Sequence, residues 1–385
     1  MNKPDGSISR DGFASARERS PALVEHSDGE HIPLILRHRD VRAAAKDWET
    51  FSSDAPFRVP IPSEEKVRRV RQIPIELDPP QHAAYRKLIE PWFLRPTRPD
   101  YVAKLDGLVA RMIAELCEQS EVDVANHFAL PMQSRALAIL LAMPECEAER
   151  WIEWGNSLYR EGDGEAKGKQ LDDYYRAQIE RARSEPEAED FFAFLTRLEI
   201  DGKPLSDDEL AGIANLTFAG GRDTVINAIS ELVAIVAQRP DLTEQVAAQP
   251  SAIHSAVEEL VRWVSPLSFI GRVCPDGARI KNHEVPRDGR VGLCWLSANY
   301  DEGVFANPEE FRPDRKPNPH MGFGSGRHAC LGAAHARALL RVLFARLAPI
   351  GSQMQLLEME PAMEQIGTVR RRLGYKNLTV RVSSD

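Results

Sequence analysis

Apolar residues recur at spacings of three and four along Leu105–Cys117 and Pro131–Leu141, which predicts two amphipathic helices. Ser206-Asp207-Asp208-Glu209 has the form of a capping box, a serine N-cap with glutamate three residues on. The helix it opens is expected to run to about Gln238, ahead of Pro240; at 1.5 Å per residue that is roughly 50 Å, the width of a whole domain. Ala252–Val264 reads as another helix, stopped by Ser265-Pro266, and Leu331–Leu347 as a further one. Strand patterns are short and scattered: His31–Leu36, Ala278–Lys281, Val291–Leu296, Met354–Leu357 and Leu378–Val382. Asn307–Pro319 carries four prolines and is expected to be an irregular meander. The prediction is a mainly α protein with a minor β part built from distant segments. That favours one interwoven domain over residues 1–385, with residues 1–30 as an N-terminal extension.

Composition narrows the class. With 385 residues, 43% hydrophobic, the chain can bury a large core. The net charge of −9 and the lack of a basic arm argue against nucleic acid as a partner. Arg68-Arg69-Val70-Arg71 is short enough to be a solvated loop. No apolar run approaches membrane-spanning length and the first twenty residues are polar, so a cytoplasmic protein is expected, with no membrane association. The five cysteines form no C-x-x-C pair, which removes zinc and dithiol motifs. Cys117, Cys146, Cys274 and Cys294 lie among apolar residues and read as small core side chains.

Cys330 differs. It lies in Phe323-Gly324-Ser325-Gly326-Arg327-His328-Ala329-Cys330-Leu331-Gly332, directly ahead of a helix. The free N–H groups and positive dipole end of that helix favour a thiolate. Gly324 and Gly326 permit tight turns, and Gly332 leaves space for a flat group against the backbone. In the long helix, Phe218-Ala219-Gly220-Gly221-Arg222-Asp223-Thr224 puts two glycines beside an acid and an alcohol. Each glycine costs about 1 kcal/mol against alanine in a helix interior, so a local use is expected there. Glu259 and Arg262 share a helix face at i, i+3.

These three sites, in this order, resemble the cytochrome P450 superfamily, in its soluble bacterial class. The resemblance extends from about Pro33 to Val382. It implies that the 320–335 loop and helix start hold a heme b through the Cys330 thiolate, with Phe323, Gly324, His328 and Gly332 around it. It implies that the 206–238 helix activates oxygen, with Gly220 beside the heme and Asp223 and Thr224 handling protons, and that Glu259 and Arg262 brace the fold. Asp78-Pro79-Pro80-Gln81-His82-Ala83-Ala84-Tyr85-Arg86 resembles the segment whose histidine and arginine bind heme propionates. That assigns His82 and Arg86, joined by Arg272 and His328. The implied activity is insertion of one atom of O2 into a small or medium hydrophobic substrate, by hydroxylation or oxidative dealkylation. Electrons would come from a ferredoxin and its NAD(P)H-dependent reductase, docking near Arg327, Arg337 and Arg341, and the protein would act as a monomer. The pocket is expected from Ala55–Ile75, Leu216–Gly220, Leu267–Phe269 and the turn near Gly367.

Three positions depart from the family pattern. Glu310 stands where a third brace residue, an arginine, is usual, leaving Arg312 or Arg315 to replace it. Val225 follows Thr224 where a second threonine is frequent, and His335 replaces a leucine and is expected to face the surface. A peroxide-using or isomerising heme-thiolate protein is the alternative reading, and the Asp223-Thr224 pair argues against it. A non-enzymatic heme-binding protein has only the helical content in its favour.

Overall fold

The computed structural model describes residues 9–19, 21–25, 31–155, 164–249 and 251–383. Helices predominate, and the described strands form a four-stranded sheet, a three-stranded sheet and two hairpin pairs, Glu199–Ile200 with Lys203–Pro204 and Ala278–Ile280 with His283–Val285. The Pro99–Glu118 and Leu130–Leu141 helices bury the apolar faces their spacing required. Ala252–Val264 is helical over the expected span and ends at Ser265, which turns into the left-handed region at φ 43°. The cysteine-loop helix is Ala333–Leu347, and the 307–319 meander contains no helix or strand. The largest apolar core lies between the helices, where Ile229, Leu232, Val233, Leu137, Leu339 and Leu343 are fully enclosed. Among the described residues no helix is long and apolar enough to cross a membrane.

The sheets join distant segments. One is ordered Ala22–Glu25, His31–Ile35, Gly289–Leu293, Ile270–Cys274; its middle pair is parallel. The three-stranded sheet couples Met354–Ile366 with Val369–Val382, and the latter with Val122–Asp123. The expected strand at Val291–Leu296 is therefore cut short. The chain turns at Cys294 into a short helix, Trp295–Asn299, whose first turn is capped by the Cys294 sulfur, 3.5 Å from the Ser297 N–H.

The long helix is not continuous. The capping box at Ser206 and Glu209 is present, but the helix ends at Gly221 and a second one starts at Asp223. Arg222 between them has φ −104° and ψ −84°, outside the helical region. Interrupting the ladder frees carbonyls, and side chains take them up: Gln133 Nε2 donates to Gly221 O at 2.9 Å and Thr224 Oγ1 to Gly220 O at 2.9 Å. The buried Arg222 side chain donates to Trp151 O and Gly155 O at 2.9 and 2.7 Å, stitching the break to the preceding helices.

Three smaller expectations fail. Arg68 is not solvated; it is buried with Glu76, also buried, as its ion partner. His335 is buried and not at the surface. Cys146, by contrast, opens a surface helix and is exposed. Of the 1–30 stretch, residues 1–8, 20 and 26–30 lie outside the described residues. Phe13 is fully buried, Arg17 is buried against Asp11, and Arg10 pairs with Glu231 while its guanidinium sits 3.7 Å from the Trp263 ring centre.

Candidate active site

A cavity of about 310 Å³ lies between the broken helix and the cysteine loop. The loop folds as its glycines require. Gly324 and Gly326 have φ of 71° and 75°, and a Cβ on Gly326 would sit 2.3 Å from Ala45 O, so only glycine fits there. Cys330 N donates to Phe323 O at 2.8 Å, closing the loop and turning the sulfur into the cavity. The residue is accessible only in the sense that the cavity is open to it. Burial pushes the thiol up, opposed by the N–H groups of Gly332 and Ala333 at the helix start. Phe323 is fixed by the Arg337 guanidinium, 4.3 Å from its ring centre.

Four polar groups from three chain segments meet at one edge of this cavity. His82 and Arg86 come from one face of the Gln81–Phe93 helix, Arg272 from the Ile270–Cys274 strand and His328 from the loop itself. Arg86 Nη1 donates to Ala329 O at 2.7 Å, which ties the helix to the loop. The two imidazoles are 4.3 Å apart in edge-on contact. Burial first, then Arg86 and Arg327, lowers His82 to about 4; burial first, then Arg272 and His82, lowers His328 to about 2. Both rings are therefore neutral at pH 7. His82 Nε2 and His328 Nε2 are buried without a hydrogen-bond partner among the described residues. Arg272 is 3% exposed, and its one hydrogen bond goes to the carbonyl of adjacent Gly271, with no carboxylate in ion-pair range among the described residues. One buried cation without a carboxylate, a half-buried one shared with Glu90 at 3.6 Å, and two unmatched ring nitrogens at one edge call for an anionic partner. The two carboxylates of a heme are groups of that kind.

On the opposite wall, Gly220 is open: a Cβ there would meet nothing within 4 Å. Thr224 lines the cavity next to it, whereas Asp223 stands at the helix start outside the lining. Ile73–Ile75, Leu216, Ala219 and Leu267 line the cavity as expected. Phe269 and the turn at Gly367 do not; Phe269 packs against a separate cluster with Phe13, Leu36 and Ile366.

Behind the loop, Glu259 and Arg262 form a two-point ion pair at 2.7 and 2.8 Å, both fully buried. Arg315 is the third member: its Nε donates to both Glu259 oxygens at 2.9 and 3.1 Å. Its Nη groups donate to the carbonyls of Ala306 and Glu310 at 2.7 and 2.9 Å. Glu310 thus supplies a backbone oxygen, and its side chain is exposed. Sequence spacing does not rank Arg312 against Arg315; Arg312 contributes only its N–H, 3.0 Å from Glu259. Tyr101 and His335 form a buried hydrogen-bonded pair; the sequence marks His335 only as a departure from the family pattern and gives no signal for Tyr101.

With this geometry in view, comparison with known proteins is direct. The cytochrome P450 family model matches residues 251–348. A solved structure described as a carbohydrate active P450 superposes with a TM-score of 0.94 and is 41% identical, over 98% of either chain. Linalool 8-monooxygenase of Pseudomonas putida is 29% identical over 88% of this chain and 87% of its own length. Steroid C26-monooxygenase of Mycolicibacterium smegmatis is 28% identical over 84% and 79%. The chain belongs to the cytochrome P450 family. It is an enzyme of the cytochrome P450 monooxygenase type, and the family's cofactor is heme b bound through a cysteine thiolate.

Proposed function

We propose that Cys330 is the thiolate ligand of the heme, that His82, Arg86, Arg272 and His328 bind its propionates, and that Phe323, Gly324, Gly332 and Gly220 shape its faces. The observation that carries this reading is the convergence of buried His82 and Arg272 with half-buried Arg86 and His328 on the cavity that holds the Cys330 sulfur. When bound, heme supplies the reductive activation of O2 that lets one oxygen atom enter a C–H bond, the push for O–O cleavage coming from the thiolate. The chain does the rest. Thr224 Oγ1 holds a proton at the cavity wall and is anchored by Gly220 O. Asp223, outside the lining at the start of the second helix segment, is the acid that resupplies it from the solvent side. Apolar Ile73, Leu216, Ala219 and Leu267 exclude water from the reacting carbon.

The substrate we propose is a small carbohydrate derivative with an apolar alkyl ether turned toward the heme. Support comes from the 41% identity to the carbohydrate active P450, together with a cavity wall that is mainly apolar. Hydroxylation of the ether carbon gives a hemiacetal, which breaks its C–O bond to release the sugar alcohol and an aldehyde. The test is a panel of O-alkyl sugars set beside terpenes and steroids, read by the spin-state shift on binding and by aldehyde release with O2 and reduced ferredoxin. Sugars that shift and turn over support the reading; shifts with terpenes or steroids alone contradict it.

Electron delivery by a ferredoxin is part of the proposal. Arg327 is exposed and makes no ion pair among the described residues. Arg337 and Arg341, by contrast, are engaged by Glu258 at 2.7 and 3.5 Å. Arg327→Glu is accordingly expected to slow ferredoxin-dependent reduction and flatten its salt dependence more than Arg341→Glu does. Equal effects would count against Arg327 as the main contact.

A further inference from the structure

The Ala333–Leu347 helix carries a buried histidine on the face that lines the cavity. Gly332, His335 and Ala336 are spaced so that they stand on one side of that helix, one turn beyond Cys330. His335 is 6% exposed, and burial alone lowers it to about 4, so the ring is neutral at pH 7. No carboxylate or cation accompanies it as a cause. Its partner is Tyr101, from the Pro99–Glu118 helix more than two hundred residues earlier in the chain. The phenol oxygen is 2.8 Å from Nδ1, with the rings edge-on at 6.1 Å. Tyr101 is 3% exposed, and burial pushes its own ionisation up, so it keeps its proton.

The direction of this hydrogen bond follows from what else the two groups touch. Tyr101 O–H has Nδ1 as its hydrogen-bond partner among the described residues. If Nδ1–H were the donor, the phenol proton would be left buried and unmatched, at a cost of about 1–3 kcal/mol. Tyr101 therefore donates, Nδ1 accepts, and the neutral ring carries its proton on Nε2. Nε2 makes no bond to the described residues and is the end of the ring left for the cavity. An apolar side chain would fill this place with no polar group to bury.

We propose that Tyr101 and His335 form a neutral relay that presents an N–H dipole to the cysteine side of the heme. In this role His335 is a positioning residue that raises the reduction potential of the iron by stabilising the more negative, ferrous state. The proposal rests on Cys330 as the ligand. The two readings separate cleanly, because loss of the thiolate changes the class of the CO spectrum, whereas loss of the relay changes the potential within that class.

The experiment is spectroelectrochemical titration of the holoenzyme and its variants at matched heme content. His335→Leu is expected to lower the ferrous-to-ferric ratio at a fixed potential by about tenfold, equivalent to about 59 mV for a one-electron couple. His335→Gln, whose amide N–H reaches the Nε2 position, is expected to restore most of that shift. A Leu variant with wild-type potential, or a Gln variant no better than Leu, overturns the proposal. Nitrogen-15 NMR of the diamagnetic ferrous–CO wild-type holoenzyme gives an independent reading that needs no variant to fold. The His335 ring protonated on Nε2 is expected, and protonation on Nδ1 overturns it.

Discussion

Glu259 holds two guanidinium groups, and the second of them, Arg315, occupies a role that sequence spacing could not assign. Removing it leaves a fully buried carboxylate with half its partners and several carbonyls unmatched. Arg315→Ala is therefore expected to lose about 3 kcal/mol of stability. Glu310→Ala, at an exposed side chain, is expected to stay within about 0.5 kcal/mol, both read from urea unfolding. If Glu310→Ala were the more damaging, the brace would be wrongly drawn. A second consequence concerns pH. A free histidine titrates near about 6.5, whereas His335 is held at about 4. Between those values the unfolded chain binds a proton that the folded chain refuses, so stability falls as pH drops through that window. The contribution between pH 7 and pH 5 is on the order of 2 kcal/mol, and His335→Leu should remove it from the pH dependence of unfolding. An unchanged slope in His335→Leu would place the acid sensitivity elsewhere. Single residues were legible where their chemistry is unusual for their setting, as with Cys330 among glycines. Arg315 and His335 were not. A meander has no periodicity to rank its arginines, and the partner that buries His335 lies in a remote helix.

The elements were legible where one periodicity runs unbroken, as in Ala252–Val264. They were misread where a local event interrupts the pattern. The Met354–Ile366 strand contains Pro361 and register shifts at Leu356/Glu358, Glu360/Pro361 and Pro361/Met363, so its alternation fails midway and only its start was visible. The long helix shows the converse. Its pattern continues through Arg222, yet the backbone leaves the helix there. Gly220 faces open cavity, so the glycine is not demanded by packing. Gly220→Ala is expected to hold or raise stability by up to about 1 kcal/mol, while the added methyl weakens the substrate-induced spin-state shift. Thermal melts and a binding titration measure the two effects on one sample. A variant that binds substrate as well as wild type would remove Gly220 from the cavity wall. The N-terminal segment makes a similar point about reach. Arg10 crosses to Glu231 and Trp263, far along the chain. Arg10→Met leaves Glu231 buried without this cation and is expected to cost about 3 kcal/mol in urea unfolding. A cost below about 0.5 kcal/mol would make the segment an appendage.

At the scale of the whole molecule, the fold brings remote segments to one cavity. A helix near residue 82, a strand near 272, the cysteine loop and the broken helix each contribute one wall. Family membership and the heme-thiolate character were legible in the sequence because the cysteine loop is compact and specific. The apolar wall was only partly legible. Ile73–Ile75, Leu216 and Leu267 reach the cavity, while Phe269 is drawn into a neighbouring core by Phe13 and Ile366. Everything proposed for this protein depends on the Cys330 sulfur meeting heme iron in that cavity. The direct measurement is the CO difference spectrum of the reduced holoenzyme, taken for wild type and Cys330→Ser. The account predicts the red-shifted Soret band of thiolate ligation in the wild type and its loss in Cys330→Ser. Absence of that band from the wild type, or its survival in the serine variant, would contradict it.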